Sequence, residues 1–201
     1  MNVANLLTAS RLFLSPLFFV LFLLPEWTGS FHLASVILLW VVFLVIELSD
    51  LLDGAVARKL NIVTDLGKLM DPFADVISRL TYFITFAAVG IMPVWIVLLI
   101  LYREYAIIFM RMIMYRTGTA LAARGGGKLK AVFYAVSGAA GIIVAMTRGV
   151  DALEPLQGAA ELFALVVFLV SLLLAYLSLS DYLIVFFRHM RGQESSQDRG
   201  E

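Results

Sequence analysis

Hydrophobic residues occur along this chain in six long stretches, which short runs of polar, charged, glycine or proline residues separate. The stretches cover residues 10–24, 31–57, 69–91, 94–115, 129–147 and 157–187. A helix needs about 20 apolar residues to cross the hydrocarbon core of a bilayer, and it satisfies its own backbone hydrogen bonds there. The pattern therefore predicts an all-α, polytopic membrane protein with about six transmembrane helices.

The composition agrees with a membrane protein rather than a soluble one. Of the 201 residues, 62% are hydrophobic and 15% are charged, whereas soluble domains are about half apolar and a quarter charged. No linker rich in proline, glycine or serine divides the hydrophobic region. We therefore predict one six-helix membrane domain over residues 1–190 and a polar, disordered tail over residues 191–201.

The charges balance overall but are unevenly distributed. Fifteen basic and fifteen acidic residues argue against a nucleic-acid partner, because such proteins carry a basic excess. The absence of cysteine excludes disulfides and thiolate sites. Basic residues gather in the connections after the second and fourth stretches and after the sixth. The positive-inside rule then predicts an inner-membrane protein with both termini on the cytoplasmic side.

Four aspartates stand near the cytoplasmic ends of the second and third predicted helices. Asp50 and Asp53 are three residues apart, and Asp71 and Asp75 are four apart, so each pair shares one helix face. The short connection between these two helices predicts that they are antiparallel neighbours. The four carboxylates are then expected to converge in one small volume.

Such a cluster requires neutralisation, because adjacent carboxylates repel one another. Oxygen-only ligands suit hard divalent ions, so the cluster predicts Mg²⁺ or Mn²⁺, with two ions able to clamp a phosphoryl group. Gly54 and Ala57 leave room for a ligand against the helix, and Arg58 offers donors for a diphosphate. Two alternatives stay open: Asp71 as a helix-terminal carboxylate, and cation or proton transport, since intramembrane acids also mark ion pathways.

The spacing Asp-x2-Asp-Gly-x2-Ala-Arg-x8-Gly-x3-Asp-x3-Asp, from Asp50 to Asp75, resembles the signature of the CDP-alcohol phosphotransferases, and every fixed position is present. The resemblance implies a six-helix, commonly dimeric membrane enzyme with residues 1–190 as its catalytic domain. It implies that Asp75 is both a metal ligand and the general base. The implied metal ligands are Asp50, Asp53, Asp71 and Asp75, and the implied CDP-lipid contacts are Asp50, Asp53, Gly54, Ala57, Arg58, Thr64 and Gly67.

The N-terminal segment resembles one group of enzymes within this family. The positions of Asn5, Thr8, Arg11 and Pro16 resemble the opening of the phosphatidylglycerophosphate synthases within this family. Two local explanations remain open for this segment. Thr8 is also a good residue for a helix N-cap, and Arg11 is also typical of an arginine that reaches the membrane interface.

Basic residues in the second half predict an acceptor that bears a phosphate. Arg103 and Arg111 lie eight residues apart on one helix face, where burial is costly unless an anion meets them. Lys128 and Lys130 follow a glycine in a pattern similar to that of the phosphatidylglycerophosphate synthases. The alternatives are a structural pair between Arg103 and Glu104 and lysines that anchor to anionic lipid.

The resemblance implies transfer of a phosphatidyl group from CDP-diacylglycerol to sn-glycerol 3-phosphate, which gives phosphatidylglycerol phosphate and CMP. Arg103, Arg111, Lys128 and Lys130 are the expected contacts to the acceptor phosphate. The partners it implies are both substrates, membrane lipid and a second copy of the chain. The same chemistry with inositol phosphate, serine or another alcohol remains an alternative, as does cation-coupled transport.

Overall fold

The computed structural model describes residues 3–29, 33–59, 65–116 and 125–197. Within these segments, side chains are described except at residues 3–5, 7, 33, 51, 53–59, 65–71, 115–116, 125–128 and 192–197. The described residues form helices and no strand, which confirms the all-α prediction. The helices are α1 (Val3–Thr28), α2 (Leu33–Lys59), α3 (Asp65–Ala88), α4 (Val94–Arg116), α5 (Gly125–Gly149) and α6 (Gln157–Gln197), with a short 3₁₀ helix, Asp151–Leu156, before α6.

Each predicted hydrophobic stretch falls largely within one of these α-helices, but α3 ends three residues earlier than expected. Gly90 has a φ of 69°, a left-handed conformation that glycine adopts without a steric cost. The N–H of Gly90 donates to the Ala87 carbonyl at 3.1 Å, and that of Ile91 donates to the Phe86 carbonyl at 2.8 Å. This paired bonding is a Schellman motif, and it ends α3 at Ala88.

The helix starts remove two alternatives from the sequence analysis. Because α1 begins at Val3, Thr8 lies inside the helix and is not its N-cap. Because α3 begins at Asp65, Asp71 lies beyond the first turn, where the favourable effect of the helix dipole on a carboxylate is concentrated. The explanation of Asp71 as a helix-terminal carboxylate is therefore wrong.

The last helix is longer than the sequence predicts. It extends to Gln197, into the segment 191–201 that the sequence analysis assigned to a polar tail. The division into a membrane domain over residues 1–190 and a separate tail therefore stays a prediction.

Aromatic side chains form much of the core between the first three helices. Phe18 of α1 lies 4.6 Å from Tyr82 of α3 between ring centroids, and Phe43 of α2 lies 5.4 Å from the same ring. Phe22 and Phe86 extend this cluster, with centroids 5.4 Å apart. Because α1 packs against both α2 and α3, its polar residues can reach the space between these two helices.

Two glycines let the first half of the bundle approach α5. A Cβ at Gly138 would come within 2.5 Å of the Phe43 ring, and a Cβ at Gly141 would overlap the Phe86 ring. The small residues therefore accept aromatic rings from α2 and α3 of the same chain. On its other side α5 packs along α6, which also packs against α4.

The outside of the bundle is rich in exposed apolar side chains. Phe13 is 79% exposed, Phe109 is 63% exposed and Leu162 is 64% exposed, a pattern that fits lipid better than water. Within the described residues, three segments are long and apolar enough to cross a membrane: Thr8–Thr28, Leu129–Gly149 and Asp151–Arg191. The prediction that α2, α3 and α4 also cross the membrane stays open.

Candidate active site

Two aspartates and two arginines form a ring of ion pairs between the first three helices. One nitrogen of Arg11, Nη1, donates to Asp50 Oδ1 at 2.8 Å and to Asp75 Oδ1 at 2.7 Å. Arg79 closes the ring, with Nη2 donating to Asp50 Oδ2 at 3.0 Å and Nη1 donating to Asp75 Oδ2 at 3.0 Å. The two halves of the aspartate motif therefore meet, as the sequence predicts for Asp50 and Asp75.

The local sequence explains how the ring is built. Asp75 and Arg79 are four residues apart on α3, a spacing that brings side chains together on one helix face. One turn after Arg11, the Ser15 hydroxyl lies 3.0 Å from the Ser78 hydroxyl of α3. This contact fixes the register of α1 against α3 and brings Arg11 beside Asp75.

Arg11 takes a more central position than the sequence analysis allowed. It is 1% exposed, and it bonds carboxylates on both α2 and α3. Arg11 therefore does not extend over the surface of the bundle, as an arginine that snorkels to the interface would. Arg11 therefore joins α2 and α3 at the point where Arg79 of α3 also bonds Asp50 of α2 directly.

The two carboxylates of the ring offer the oxygen ligands that a divalent metal takes, but Arg11 and Arg79 balance their charge. The carboxylates of Asp50 and Asp75 are 23% and 28% exposed, and each oxygen that accepts one N–H keeps a further lone pair. Among residues whose side chains are described, no group of three or more Asp, Glu or His side chains is arranged to hold a metal ion. The predicted four-aspartate cluster is thus described only at Asp50 and Asp75.

Several predicted site residues can be placed only by helix. Asp53, Gly54, Ala57 and Arg58 lie in the last turns of α2, Gly67 and Asp71 lie in the first turns of α3, and Lys128 lies in the first turn of α5. Their side chains are outside the described part of the chain, and Thr64 lies wholly outside it. Their roles therefore remain predictions.

A second buried polar cluster joins α4, α5 and α6. Glu104 Oε1 accepts bonds from Arg103 Nη1 at 2.9 Å, Lys130 Nζ at 2.8 Å and the Tyr134 hydroxyl at 3.1 Å. Arg103 also donates through Nε to the Ala175 carbonyl at 3.0 Å and through Nη2 to the Ser178 hydroxyl at 3.1 Å. Arg103 therefore forms the structural pair with Glu104 that the sequence analysis left open.

Arg111 lies on the same side of α4, further toward its C-terminal end. Its Nη2 donates to the Tyr182 hydroxyl of α6 at 3.2 Å, and its guanidinium carbon lies 5.7 Å from the centre of that ring. Its Nε is buried and has no hydrogen-bond partner among the described residues. Both arginines of α4 thus face α6, which confirms that they share a helix face.

One aromatic ring connects the two polar clusters. The Tyr134 ring centre lies 5.9 Å from the Arg79 guanidinium carbon and 4.7 Å from the Lys130 ammonium nitrogen. Tyr134 is 1% exposed, so these cation–π contacts form away from water, where they are stronger. The Tyr134 ring therefore separates Lys130, a predicted acceptor contact, from Arg79 and the ring of ion pairs.

Arg79 and Tyr134, which connect the two clusters, escaped the sequence analysis. Arg79 had a local signal, because an Asp and an Arg four residues apart on a helix commonly pair. Tyr134 had none, because it resembles the many other aromatic residues of an apolar helix. Its importance depends on contacts with α3 and α4 that the sequence of α5 alone does not contain.

Comparison with known proteins assigns the family. The family model described as CDP-alcohol phosphatidyltransferase matches residues 1–187, which is nearly the whole chain. The chain belongs to this family. It is therefore an enzyme of the phosphatidyltransferase type. Its apolar helices and its family indicate an integral membrane protein. Enzymes of this family generally use a divalent metal.

Individual relatives within the family carry more specific names. The chain is 33% identical over 202 residues to a CDP-diacylglycerol–glycerol-3-phosphate 3-phosphatidyltransferase of Treponema pallidum, with 93% of this chain and 90% of the relative covered. It is 31% identical over 191 residues to a probable phosphatidylglycerophosphate synthase of Mycobacterium tuberculosis, with 95% and 84% covered. A CMP-forming cardiolipin synthase of Streptomyces coelicolor is 35% identical over 118 residues, which cover 59% of this chain and 54% of that protein.

Proposed function

We propose that this protein transfers the phosphatidyl group of CDP-diacylglycerol to sn-glycerol 3-phosphate, with phosphatidylglycerol phosphate and CMP as products. The single observation that carries the proposal is the meeting of Asp50 and Asp75 in one ion-paired ring. The names of the two relatives that align over most of the chain support the choice of acceptor. Family membership favours this chemistry over the transport alternative.

Asp75 is the proposed general base. It takes the proton of the glycerol 1-hydroxyl while that oxygen forms a bond to the phosphorus of the phosphatidyl group. The bond from this phosphorus to the oxygen of CMP breaks, and the proton passes to water. Arg11 donates to Oδ1 of Asp75 and Arg79 donates to Oδ2, which fixes the orientation of the carboxylate. Such preorganisation lowers the barrier, because little rearrangement is needed during reaction.

The metal site would draw on all four aspartates. Arg11 and Arg79 already balance the charges of Asp50 and Asp75, so the excess negative charge for Mg²⁺ or Mn²⁺ would come from Asp53 and Asp71. Two bound ions would supply charge stabilisation on the diphosphate. We assign Gly54, Ala57, Arg58, Thr64 and Gly67 to the nucleotide on the basis of the motif.

The acceptor phosphate is assigned to basic residues of α4 and α5: Arg103, Arg111, Lys128 and Lys130. Lys130 is the best placed of the described members, because it shares the Tyr134 ring with Arg79. Arg103 donates to three protein acceptors, so it would bind phosphate with its remaining N–H groups or support Lys130 through Glu104.

The central test is release of CMP from CDP-diacylglycerol by the purified full chain with Mg²⁺ or Mn²⁺. Acceptors offered one at a time are glycerol 3-phosphate, inositol phosphate, serine and phosphatidylglycerol. We expect release with glycerol 3-phosphate and its loss in Asp75→Asn. Asp151→Asn is the matched control, because Asp151 is exposed on the 3₁₀ helix outside both clusters.

Other acceptors give a clear alternative result. Phosphatidylglycerol is included because one relative is named a CMP-forming cardiolipin synthase. Release with only that acceptor, or only with inositol phosphate or serine, would keep the transfer chemistry and reject glycerol 3-phosphate. No release with any acceptor, from protein that melts cooperatively, would reject the proposed reaction.

We further propose an inner-membrane location with six spans and the aspartates on the cytoplasmic side. The chain has no cysteine, so single cysteines can report topology without background. Glu154→Cys in the 3₁₀ helix and His189→Cys near the end of α6 would be treated with an impermeant maleimide in intact cells. We expect labelling at residue 154 only, and the reverse pattern would refute the orientation.

A homodimer and lipid contacts complete the proposal. The exposed apolar side chains of α4 and α6, such as Phe109 and Leu162, are suited to lipid. Light scattering in detergent would measure the mass of the protein part, and a monomer over the working concentration range would reject the dimer.

A further inference from the structure

Glu104 is the centre of the second polar cluster. It is 6% exposed, and a single oxygen accepts from Arg103, Lys130 and Tyr134. The donors come from α4 and α5, which both pack along α6. Arg103, Lys130 and Glu104 together carry one net positive charge, and Glu104→Gln would increase it, so weaker binding of a phosphate in that variant would report lost positioning of Lys130 and not lost charge.

Lys130 is held on two sides. Its ammonium donates to Glu104 at 2.8 Å and lies 4.7 Å from the centre of the Tyr134 ring. The ring itself is fixed, because it meets Phe83 edge-on at 5.3 Å and its hydroxyl donates to Glu104. A lysine ammonium has three N–H donors, and within the described part of the chain one of them is used by Glu104.

The position of Lys130 is also defined relative to the proposed base. The Tyr134 ring contacts both the Lys130 ammonium and the Arg79 guanidinium, and Arg79 donates to Asp75. A free lysine side chain samples many rotamers. In the proposed reaction Lys130 binds the phosphate of a small acceptor while Asp75 contacts its hydroxyl. Lys130 therefore needs a fixed location, because misplacement of a reacting group lowers the rate steeply.

We propose that Glu104 and Tyr134 are positioning residues, which hold the Lys130 ammonium where it binds the phosphate of the acceptor. The proposal rests on the proposed function, in which Lys130 contacts that phosphate. Glu104 therefore acts on acceptor binding through Lys130, and it has no direct role at the CDP-lipid. A purely structural Glu104 would instead affect both substrates and stability alike.

A double-mutant cycle with CMP release as the assay separates these roles. The Michaelis constants for glycerol 3-phosphate and for CDP-diacylglycerol are measured for Glu104→Gln, Lys130→Met and the double variant. Loss of a charge-assisted hydrogen bond corresponds to about tenfold in affinity or more. We expect each single variant to raise the constant for glycerol 3-phosphate about tenfold, and the constant for CDP-diacylglycerol to stay within about twofold.

The decisive comparison is between Lys130→Met and the double variant. If Glu104 acts through Lys130, adding Glu104→Gln to Lys130→Met changes the acceptor constant no further, because interacting residues are not additive. An equal fold-change in both backgrounds, or an unchanged acceptor constant in Glu104→Gln, would overturn the inference. If Lys130→Met alone has no effect, the assignment of Lys130 to the acceptor phosphate is rejected first.

A milder pair of variants covers the case in which Glu104→Gln does not fold. Tyr134→Phe removes one buried hydroxyl and keeps the ring, and Ser137→Ala removes another buried hydroxyl on α5, which lies 2.7 Å from Ser171. We expect about a threefold rise in the acceptor constant for Tyr134→Phe and none for Ser137→Ala. Equal effects of the two would refute positioning by Tyr134.

Discussion

Replacement of Arg79 with glutamine removes both bonds that join its guanidinium to Asp50 and Asp75. Arg11 remains as the described partner of both carboxylates. Breaking a buried ion pair from one side costs about 3–5 kcal/mol. Because the two carboxylates are 23% and 28% exposed, water compensates part of this loss, and we expect a value near the lower limit, about 3 kcal/mol.

This loss is large enough to measure as a thermal shift. For a chain of this length, 1 kcal/mol corresponds to about 2–4 °C in the melting temperature. Arg79→Gln is therefore expected to melt roughly 6–12 °C below the unmodified protein. The measurement is intrinsic fluorescence of purified protein in detergent during heating, with EDTA present so that metal does not mask the missing charge.

Arg148→Gln is the matched control for this substitution. Arg148 pairs with Glu161 at 2.8 Å and also donates to the Val89 carbonyl at 3.0 Å, but the two charged side chains are 34% and 39% exposed, and exposed pairs contribute only about 0–1 kcal/mol. The control is expected to melt no more than about 4 °C lower. Equal shifts of the melting temperature in the two variants would refute the view that the ring of ion pairs stabilises the packing of α1, α2 and α3.

Three further results are expected. Gly141→Ala forces a methyl group against the Phe86 ring and should lower the free energy of unfolding by about 1–3 kcal/mol. Gly158→Ala, with open space around it, should leave the melting temperature unchanged or slightly raised. Equal melting temperatures of the two variants would contradict the packing argument. Asp53→Asn or Asp71→Asn should weaken Mn²⁺ binding, which electron paramagnetic resonance measures in the absence of substrate. Unchanged Mn²⁺ affinity in both variants would remove these residues from the metal site. EDTA should stop CMP release and added Mg²⁺ or Mn²⁺ should restore it, and continued release in EDTA would contradict a metal requirement.

The residues that sequence predicted well are those whose relations lie within one helix or one motif. Asp50 and Asp75 were predicted from spacing, and their approach follows from two helices joined by a short connection. The shared face of Arg103 and Arg111 follows in the same way from helical periodicity, and both side chains meet α6.

The residues that sequence placed poorly depend on a third helix. An interfacial position for Arg11 stayed open as an alternative, because nothing in the sequence of α1 indicates that this helix packs against both α2 and α3. Lys130 was predicted as an acceptor contact, but its carboxylate partner was not, because that partner lies 26 positions earlier on α4. Side-chain partners across helices depend on packing, which hydrophobic periodicity predicts only as a face and not as a pairing.

The burial of Arg11 between Asp50 and Asp75 has a consequence for biosynthesis. The chain is made from its N-terminus, so the arginine of α1 is present before either aspartate is synthesised. Carboxylates entering a membrane without a counter-charge are costly. Here the cation that bonds both of them already stands in the first helix, and α2 and α3 can pack directly onto a prepared partner.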